Sequence, residues 1–193
     1  MRLNAIGFAI GQSFAFKKAS ACVSYLQGVQ PFCMESRELL FFLDACRRGD
    51  AGDVTKMCEL FPELINESDA KGFTPLIIAA YNNQPDIVAI LLQAGADTSI
   101  GDRSGNTPLM GAIFKGYDTI AHQLLDAGAD PNMQNGQGAT ALTFAATFHR
   151  NQLAQRLLQA GANKNIADRF GKTPLDHARV QDNETLVQIL EAL

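Results

Sequence analysis

The sequence predicts an all-α solenoid of helix-turn-helix units, joined by projecting loops of β-hairpin-like form. Three observations predict it: a 33-residue repeat, a helix-start motif in each copy and an apolar second helix. The repeat is visible as four columns of identical residues that stay in phase through four copies. The columns are Gly72, Gly105, Gly138 and Gly171; Thr74, Thr107, Thr140 and Thr173; Leu76, Leu109, Leu142 and Leu175; and Ala79, Ala112, Ala145 and Ala178. A single unit of this size cannot bury its apolar face alone, so neighbouring units are expected to stack around a shared core.

The first helix of each unit is predicted to begin at a Thr-Pro-Leu motif. Threonine can accept hydrogen bonds from the free N–H groups of the first turn, and proline at the first helical position loses no intrahelical bond. The motif stands at Thr74-Pro75-Leu76, Thr107-Pro108-Leu109 and Thr173-Pro174-Leu175. Ala141 replaces the proline in the remaining copy.

The second helix of each unit is predicted from apolar residues at positions i, i+1, i+4 and i+5, which share one helical face. The pattern occurs as Ile87, Val88, Leu91 and Leu92, as Ile120, Ala121, Leu124 and Leu125, and as Leu153, Ala154, Leu157 and Leu158. A glycine follows each copy and suits the left-handed residue that closes a helix. Turn-forming residues then lead into the next unit.

The pattern as a whole resembles the ankyrin repeat, which has a 33-residue period and a T-P-L-H-x-A signature. The resemblance covers roughly residues 36–193. It divides the chain after residue 34 into a divergent capping repeat at 35–68, repeats at 69–101, 102–134 and 135–167, and a C-terminal cap repeat at 168–193. About five repeats are therefore expected, with the first and the last acting as caps.

The chain departs from the ankyrin signature at one column. Ile77, Met110, Thr143 and Asp176 occupy the position of the signature histidine. We therefore expect contacts between repeats to depend more on packing than on a histidine hydrogen-bond network. Glu191 replaces a core leucine in the last repeat, as expected where a terminal repeat presents a polar outer face.

Composition excludes several classes of protein. The 193 residues are 47% hydrophobic and 19% charged, and the mean hydropathy is -0.02, which is typical of a globular chain. No apolar stretch reaches the ~18–20 residues of a membrane-spanning helix. The net charge is -4, so the chain lacks the overall basic character of most nucleic-acid binders.

The side chains that could carry chemistry do not form a catalytic or metal-binding pattern. The cysteines are Cys22, Cys33, Cys46 and Cys58, and the histidines are His122, His149 and His177. Neither set has metal-ligand spacing, and no G-x-S-x-G or phosphate-binding loop occurs. We therefore expect no enzyme activity, cofactor or metal, and a reducing compartment. Cys46 is expected to be a small buried hydrophobic residue, with a Cys46–Cys58 disulfide as the alternative.

The resemblance also implies where a partner would bind. In ankyrin repeats, partners contact the loop tips and the outer side of the first helices, here called the concave face. The corresponding residues are Arg47, Arg48, Lys71, Phe73, Tyr81, Asn82, Arg103, Ser104, Asn106, Phe114, Lys115, Gln137, Thr147, Phe148, Arg169, Phe170 and Lys172. They include seven basic residues, five aromatic residues and no acid, although Asp69, Asp102 and Asp168 lie beside them.

This set predicts a basic, aromatic binding face. We expect a monomer that binds another protein, with an acidic or phosphorylated segment favoured because a face of one sign attracts opposite charge. Nucleic acid is not expected, because no continuous Lys/Arg track with stacked aromatics is evident. Two arrangements remain open for the aromatics: they form one patch, or Tyr81 and Phe114 pack on a neighbouring loop.

Residues 1–34 lie outside the repeats and differ in charge. They carry Arg2, Lys17 and Lys18 and no acid, whereas the remainder is acidic. We expect a weakly ordered or docking extension, or translation that starts at Met34, with a secretory signal in residues 1–21 as the alternative. The expected function is therefore a cytoplasmic interaction module. The alternatives are an exported periplasmic or secreted protein that protects or holds a client, and a regulatory piece of a larger enzyme.

Overall fold

Residues 37–192, which the computed structural model describes, form five successive helix pairs. The pairs are α1 (Arg37–Arg48) with α2 (Ala51–Leu60), α3 (Pro75–Tyr81) with α4 (Pro85–Gln93), α5 (Pro108–Lys115) with α6 (Asp118–Asp126), α7 (Ala141–Thr147) with α8 (Asn151–Gln159), and α9 (Pro174–Val180) with α10 (Glu184–Ala192). A short 3-10 helix at Pro62–Leu64 follows α2, and no strand occurs within 37–192. The all-α repeat solenoid predicted from the sequence is confirmed. The expectations about the extension at 1–34 fall outside the described residues.

The helix pairs form two layers. The first helices of the pairs contact one another in chain order from α1 to α9, and the second helices do so from α2 to α10. Side chains such as Ile87, Leu109, Ile120 and Leu142 are fully buried between the layers. Within 37–192, no helix has the length and apolar character needed to cross a bilayer.

Threonine caps start four of the first helices, as predicted. The hydroxyls of Thr74, Thr107, Thr140 and Thr173 each accept the N–H of the residue three positions on, at 3.3 Å. Where Ala141 replaces proline, Thr143 returns the bond, because its hydroxyl accepts the N–H of Thr140 at 3.2 Å. This reciprocal cap supplies a start signal that does not require proline.

The loops between repeats are tight turns joined to one another by backbone hydrogen bonds. In the first of them the N–H of Asp69 donates to the carbonyl of Phe73 at 3.1 Å, which closes a hairpin-like tip. The N–H of Arg103 then donates to the carbonyl of Lys71 at 3.1 Å, and the next two loops repeat this link at 2.8 and 2.9 Å. Gly72 has φ +80°, and a Cβ there would lie 2.7 Å from the backbone nitrogen of Arg103. Each loop is therefore held at a fixed distance from the next.

Candidate functional site

A pocket of about 330 Å³ lies on the concave face, between α1, α3, α5 and the loop at 69–73. We call it the basic pocket. Its lining consists of Arg47, Asp69, Lys71, Phe73, Ile77, Ile78, Tyr81, Asn82 and Lys115. Six of these nine are contact residues predicted from the sequence, and the other three are Asp69, Ile77 and Ile78. Ile77 and Ile78 were missed because both are buried and lie outside the contact columns that the resemblance implies, yet both line the floor of the pocket.

The charge of the basic pocket is positive. Three cations, Arg47, Lys71 and Lys115, share it with one carboxylate, Asp69. Asp69 Oδ1 accepts the backbone N–H groups of Lys71 and Phe73 at 2.8 and 2.9 Å, so this acid shapes the loop. Arg47 Nη1 lies 3.6 Å from Asp44 in a half-exposed pair, which is weak in water. Within residues 37–192, no carboxylate oxygen lies within 4.0 Å of the ammonium group of Lys71 or Lys115.

Tyr81 forms one wall of the basic pocket by packing against the following repeat. Its ring lies 6.0 Å from that of Phe73, centroid to centroid. A Cβ at Gly111 would be 2.5 Å from Tyr81 Cε2, so the absence of a side chain on α5 makes room for the ring. Burial, with a smaller contribution from the charge of Asp102, raises the pKa of Tyr81. Tyr81 therefore packs on the first helix of the neighbouring repeat.

An exposed aromatic surface lies one repeat further along, and we call it the aromatic ledge (Phe114, Phe144 and Phe148). The rings of Phe114 and Phe148 meet edge to face at 4.9 Å, and Phe148 stacks on Phe144 at 6.2 Å. Phe114 and Phe148 keep 41% and 37% of their surface exposed. Lys115 Nζ lies 5.7 Å from the centre of the Phe114 ring, and Lys115 also lines the basic pocket. The ledge and the pocket are therefore adjacent.

The five predicted aromatics are arranged in three groups. Among the described residues, ring contacts join Phe73 to Tyr81 and Phe114 to Phe148, and none joins the two pairs. Phe170, which is 70% exposed, is covered on one side by the Arg169 guanidinium at 4.7 Å. The aromatic surface is thus distributed along the array.

Several predicted contact residues have structural contacts of their own. Arg48 pairs with Asp44 at 2.9 Å, at the junction of α1 and α2, and does not line the basic pocket. Asn106 accepts the side-chain N–H of the next loop's Asn135 at 2.8 Å. Hydrogen bonds between repeats also involve the backbone carbonyls of Ser104 and Gln137. Hydrogen bonds within a repeat involve the hydroxyl of Thr147 and the N–H of Lys172. Their backbone or polar atoms position the face, whereas Arg103 and Arg169 are exposed at loop tips.

His177, on α9, makes polar contacts within its own repeat and with the preceding one. It is partly buried, and its Nε2 lies 2.8 Å from Asp168 Oδ2, while Thr147 Oγ1 lies 3.5 Å from its Nδ1. The Asp-His-Thr order has the appearance of a hydrolytic triad. However, the Thr147 hydroxyl donates to the carbonyl of Thr143 at 2.9 Å, so its proton is held by its own helix. The arrangement joins two repeats and offers no activated nucleophile.

The two described cysteines are free thiols, and the alternative Cys46–Cys58 disulfide is absent from residues 37–192. Cys46 is fully buried, as predicted. Burial, with a smaller contribution from Cys58, raises the pKa of Cys46 to about 12. Since the thiolate is the reactive form, Cys46 is chemically inert at neutral pH. Among residues 37–192, no three side chains of His, Cys, Asp or Glu are grouped so as to hold a metal ion.

Comparison with known families identifies the repeat. A sequence model of ankyrin repeats matches residues 42–135 and 110–192. The chain belongs to the ankyrin repeat family. Members of this family are generally protein–protein interaction modules and are typically non-enzymatic.

The relatives of this ankyrin repeat protein are similar over short stretches. A stretch of 52 residues is 42% identical to the NAD-capped RNA hydrolase NUDT12 of Homo sapiens, and the same figure holds for the Macaca fascicularis protein. This match covers 27% of the chain and 11% of the hydrolase, and it lies in the ankyrin region. BTB/POZ domain-containing protein 3 of Schizosaccharomyces pombe is 34% identical over 73 residues, which are 36% of the chain and 14% of that protein. The chain thus spans only a small part of these relatives.

Proposed function

We propose that this ankyrin repeat protein is a non-enzymatic module that binds a partner protein through its concave face. The observation that carries the proposal is the adjacency of the basic pocket and the aromatic ledge. Three cations and two exposed phenylalanines lie on one face of a chain whose net charge is -4. An acidic or phosphorylated segment of the partner would complement this face.

The two parts of the face have different roles in the proposal. Large aromatic side chains with surroundings that exclude water contribute most of the affinity in protein interfaces. Phe114 and Phe148 are suited to this role, because their rings pack on each other and a partner would cover the side that is open to solvent. Exposed cations such as Arg103 and Lys115 act at longer range, where they accelerate encounter with an acidic partner.

The first arm of the test concerns the aromatic ledge. Phe114→Ala and Phe148→Ala should each cost ~2 kcal/mol or more in affinity, mostly through faster dissociation. The partner is obtained by affinity capture with the intact chain, and the kinetics are measured by surface plasmon resonance. Leu60→Ala is the matched control, because Leu60 is 69% exposed but lies on α2, outside the pocket and the ledge.

The second arm concerns charge. Arg103→Glu and Lys115→Glu should slow association and flatten its dependence on salt, whereas Lys56→Glu on α2 should not. Lys56 is a suitable control because its side chain is 72% exposed. Circular dichroism establishes that each variant is folded. Unchanged kinetics in all four face variants would contradict the assignment of binding to the concave face.

A further inference from the structure

The composition of the basic pocket points to the chemistry of the group it takes. Its cations, Arg47, Lys71 and Lys115, come from three successive repeats and surround a floor of Ile77 and Ile78. Both isoleucines are at least nine-tenths buried, so the floor is apolar. Charges beside an apolar floor are less screened than charges in open water, which strengthens their attraction for an anion.

The charge balance of the pocket favours a doubly charged anion. Three positive side chains line the pocket with one negative side chain, Asp69, which leaves an excess of two. The half-exposed Arg47–Asp44 pair offsets part of the Arg47 charge, so the net excess lies between one and two. Asp69 Oδ1 is already occupied by two N–H groups of its own loop, so the acid is a fixed part of the wall. A phosphorylated side chain carries about -1.5 to -2 at neutral pH and has three acceptor oxygens, whereas a carboxylate carries one charge. Phosphate therefore matches the pocket better than a single Asp or Glu.

The position of the aromatic ledge determines a second feature of the ligand, the distance between its charged group and its apolar group. Lys115 connects the two sites, because it lines the basic pocket and lies over the Phe114 ring. The pocket is centred on α3, which supplies Ile77, Ile78 and Tyr81, and the aromatic ledge begins at Phe114 on α5, so the two are separated by about one helix spacing. Packed helices are about 8–10 Å apart, and an extended chain rises about 3.3 Å per residue. One helix spacing therefore corresponds to about three residues of an extended segment.

We propose that the concave face binds an extended protein segment with two anchors. A phosphorylated side chain enters the basic pocket, and a large apolar side chain about three residues away packs on the aromatic ledge. This inference rests on the proposed function and specifies the partner of the same face. It explains why the two sites occur in adjacent repeats, where one short segment can reach both.

Fluorescence anisotropy with labelled synthetic peptides tests the spacing and the phosphate separately. Each peptide carries one phosphoserine and one leucine, and the series varies the number of residues between them in both chain directions. Affinity should be highest near a separation of about three residues, and removing the phosphate should weaken binding by about tenfold. Replacing phosphoserine with glutamate should recover only part of that loss.

Variants of the chain locate the binding. Lys71→Gln and Lys115→Gln should each weaken the phosphopeptide by about tenfold while leaving its unphosphorylated twin unchanged. Phe148→Ala should remove the dependence on spacing. Lys56→Gln and Leu60→Ala, both on α2, serve as the charge and apolar controls and should have no effect. Urea melts of each variant separate lost binding from lost folding.

The outcomes distinguish this inference from the proposed function. Equal affinity for phosphorylated and unphosphorylated peptides, or no binding by any peptide, would overturn the phosphate inference. The proposed function would stand in that case if Phe114→Ala and Phe148→Ala still weakened the captured protein partner. A single-stranded RNA that binds more tightly than the best phosphopeptide would overturn the inference in favour of a nucleic-acid ligand.

Discussion

The three interior repeats and the last repeat use the same columns of residues in different environments. Leu76, Leu109 and Leu142 are at most 1% exposed, whereas their counterpart in the last repeat, Leu175, is only partly buried. The column that holds Tyr81 and Phe114 in the interior holds Val180 at the end, and Val180 is 61% exposed. Within the described residues, a side chain in these columns is therefore buried most where another repeat packs against it.

Polar side chains make several of the contacts in the last repeat of the described residues. Asp176 Oδ2 accepts the N–H of Thr173 at 2.9 Å and closes a reciprocal helix cap. Arg179 pairs with Glu191 across α9 and α10 at 2.6 Å. Exposed contacts of this kind contribute little free energy. We therefore expect buried apolar side chains to stabilise the interior repeats, and many weak polar contacts to stabilise the last repeat.

The largest effect is expected for truncation of an interior core leucine. Leu124→Ala on α6 should lower the free energy of unfolding by ~2–5 kcal/mol, because it leaves a cavity between two repeats. Leu190 occupies the same column on α10 and is also buried, yet Leu190→Ala should cost less and loosen only the last repeat, which has one neighbour. Urea melts followed by circular dichroism, with hydrogen exchange for the last repeat, measure both. Equal and fully cooperative losses would contradict the comparison.

A smaller effect is expected at the loop glycines. Gly72 and Gly171 share a column and have φ of +80° and +74°, so alanine at either should cost ~1–2 kcal/mol of conformational energy. A Cβ at Gly72 would also lie 2.7 Å from the Arg103 nitrogen, whereas a Cβ at Gly171 would meet no atom within 4 Å. Gly72→Ala should therefore destabilise the array more than Gly171→Ala in the same melts. Identical costs would mean that loops are not held at contact distance.

The residues that the sequence alone could place are those whose reasons are local. A threonine cap requires only its own first turn, and the positive φ of a loop glycine is set by its own turn, so both follow from the period. Arg47 and Arg48 illustrate the limit. Both contact Asp44 of their own helix, yet Arg47 lines the basic pocket, whereas Arg48 also lies 3.9 and 4.0 Å from Asp50 and Asp53 at the start of α2. Which of two neighbouring cations faces the pocket depends on the helix phase and on carboxylates from another element.

Side-chain contacts between repeats also could not be predicted from the repeat pattern. The close fit of Tyr81 against Gly111 depends on a small residue in the next repeat, in a column that holds Ile78, Phe144 and His177 elsewhere. The 33-residue period is defined by the columns that the repeats share, so it gives no information about a column that differs from repeat to repeat. Likewise, the period does not indicate that His177 bonds to Asp168 at the start of its own repeat.

Acid should affect the last repeat through Asp168. Burial opposes ionisation of Asp168, but hydrogen bonds from His177 and from the N–H groups of Lys172 and Phe170 outweigh it and lower its pKa. A carboxyl whose pKa is lower in the folded chain stabilises it above the ordinary Asp pKa of about 3.9, and this stabilisation is lost as pH falls through the folded value. Asp168→Asn should therefore be less stable than the parent at neutral pH and should lose less stability between about pH 5 and pH 3.

Urea melts at the two pH values measure this difference, and Glu67→Gln, at an exposed position before the first described loop, is the control. The control should keep the pH dependence of the parent chain. If Asp168→Asn also keeps it, the Asp168–His177 contact does not contribute to acid sensitivity. The last repeat would then depend on packing in the same way as the interior.

The smallest effect is expected for the ion pair that joins α9 to α10. Arg179 and Glu191 are 55% and 50% exposed in their side chains, so water and salt screen the 2.6 Å contact. A double-mutant cycle with Arg179→Ala and Glu191→Ala should give a coupling of about 0–1 kcal/mol that decreases with added salt. A coupling well above that range would mean that one charged contact holds the terminal repeat in place. The last repeat would then be stabilised by one strong ion pair. The proposed contrast with the interior repeats, which are stabilised by buried apolar side chains, would be wrong.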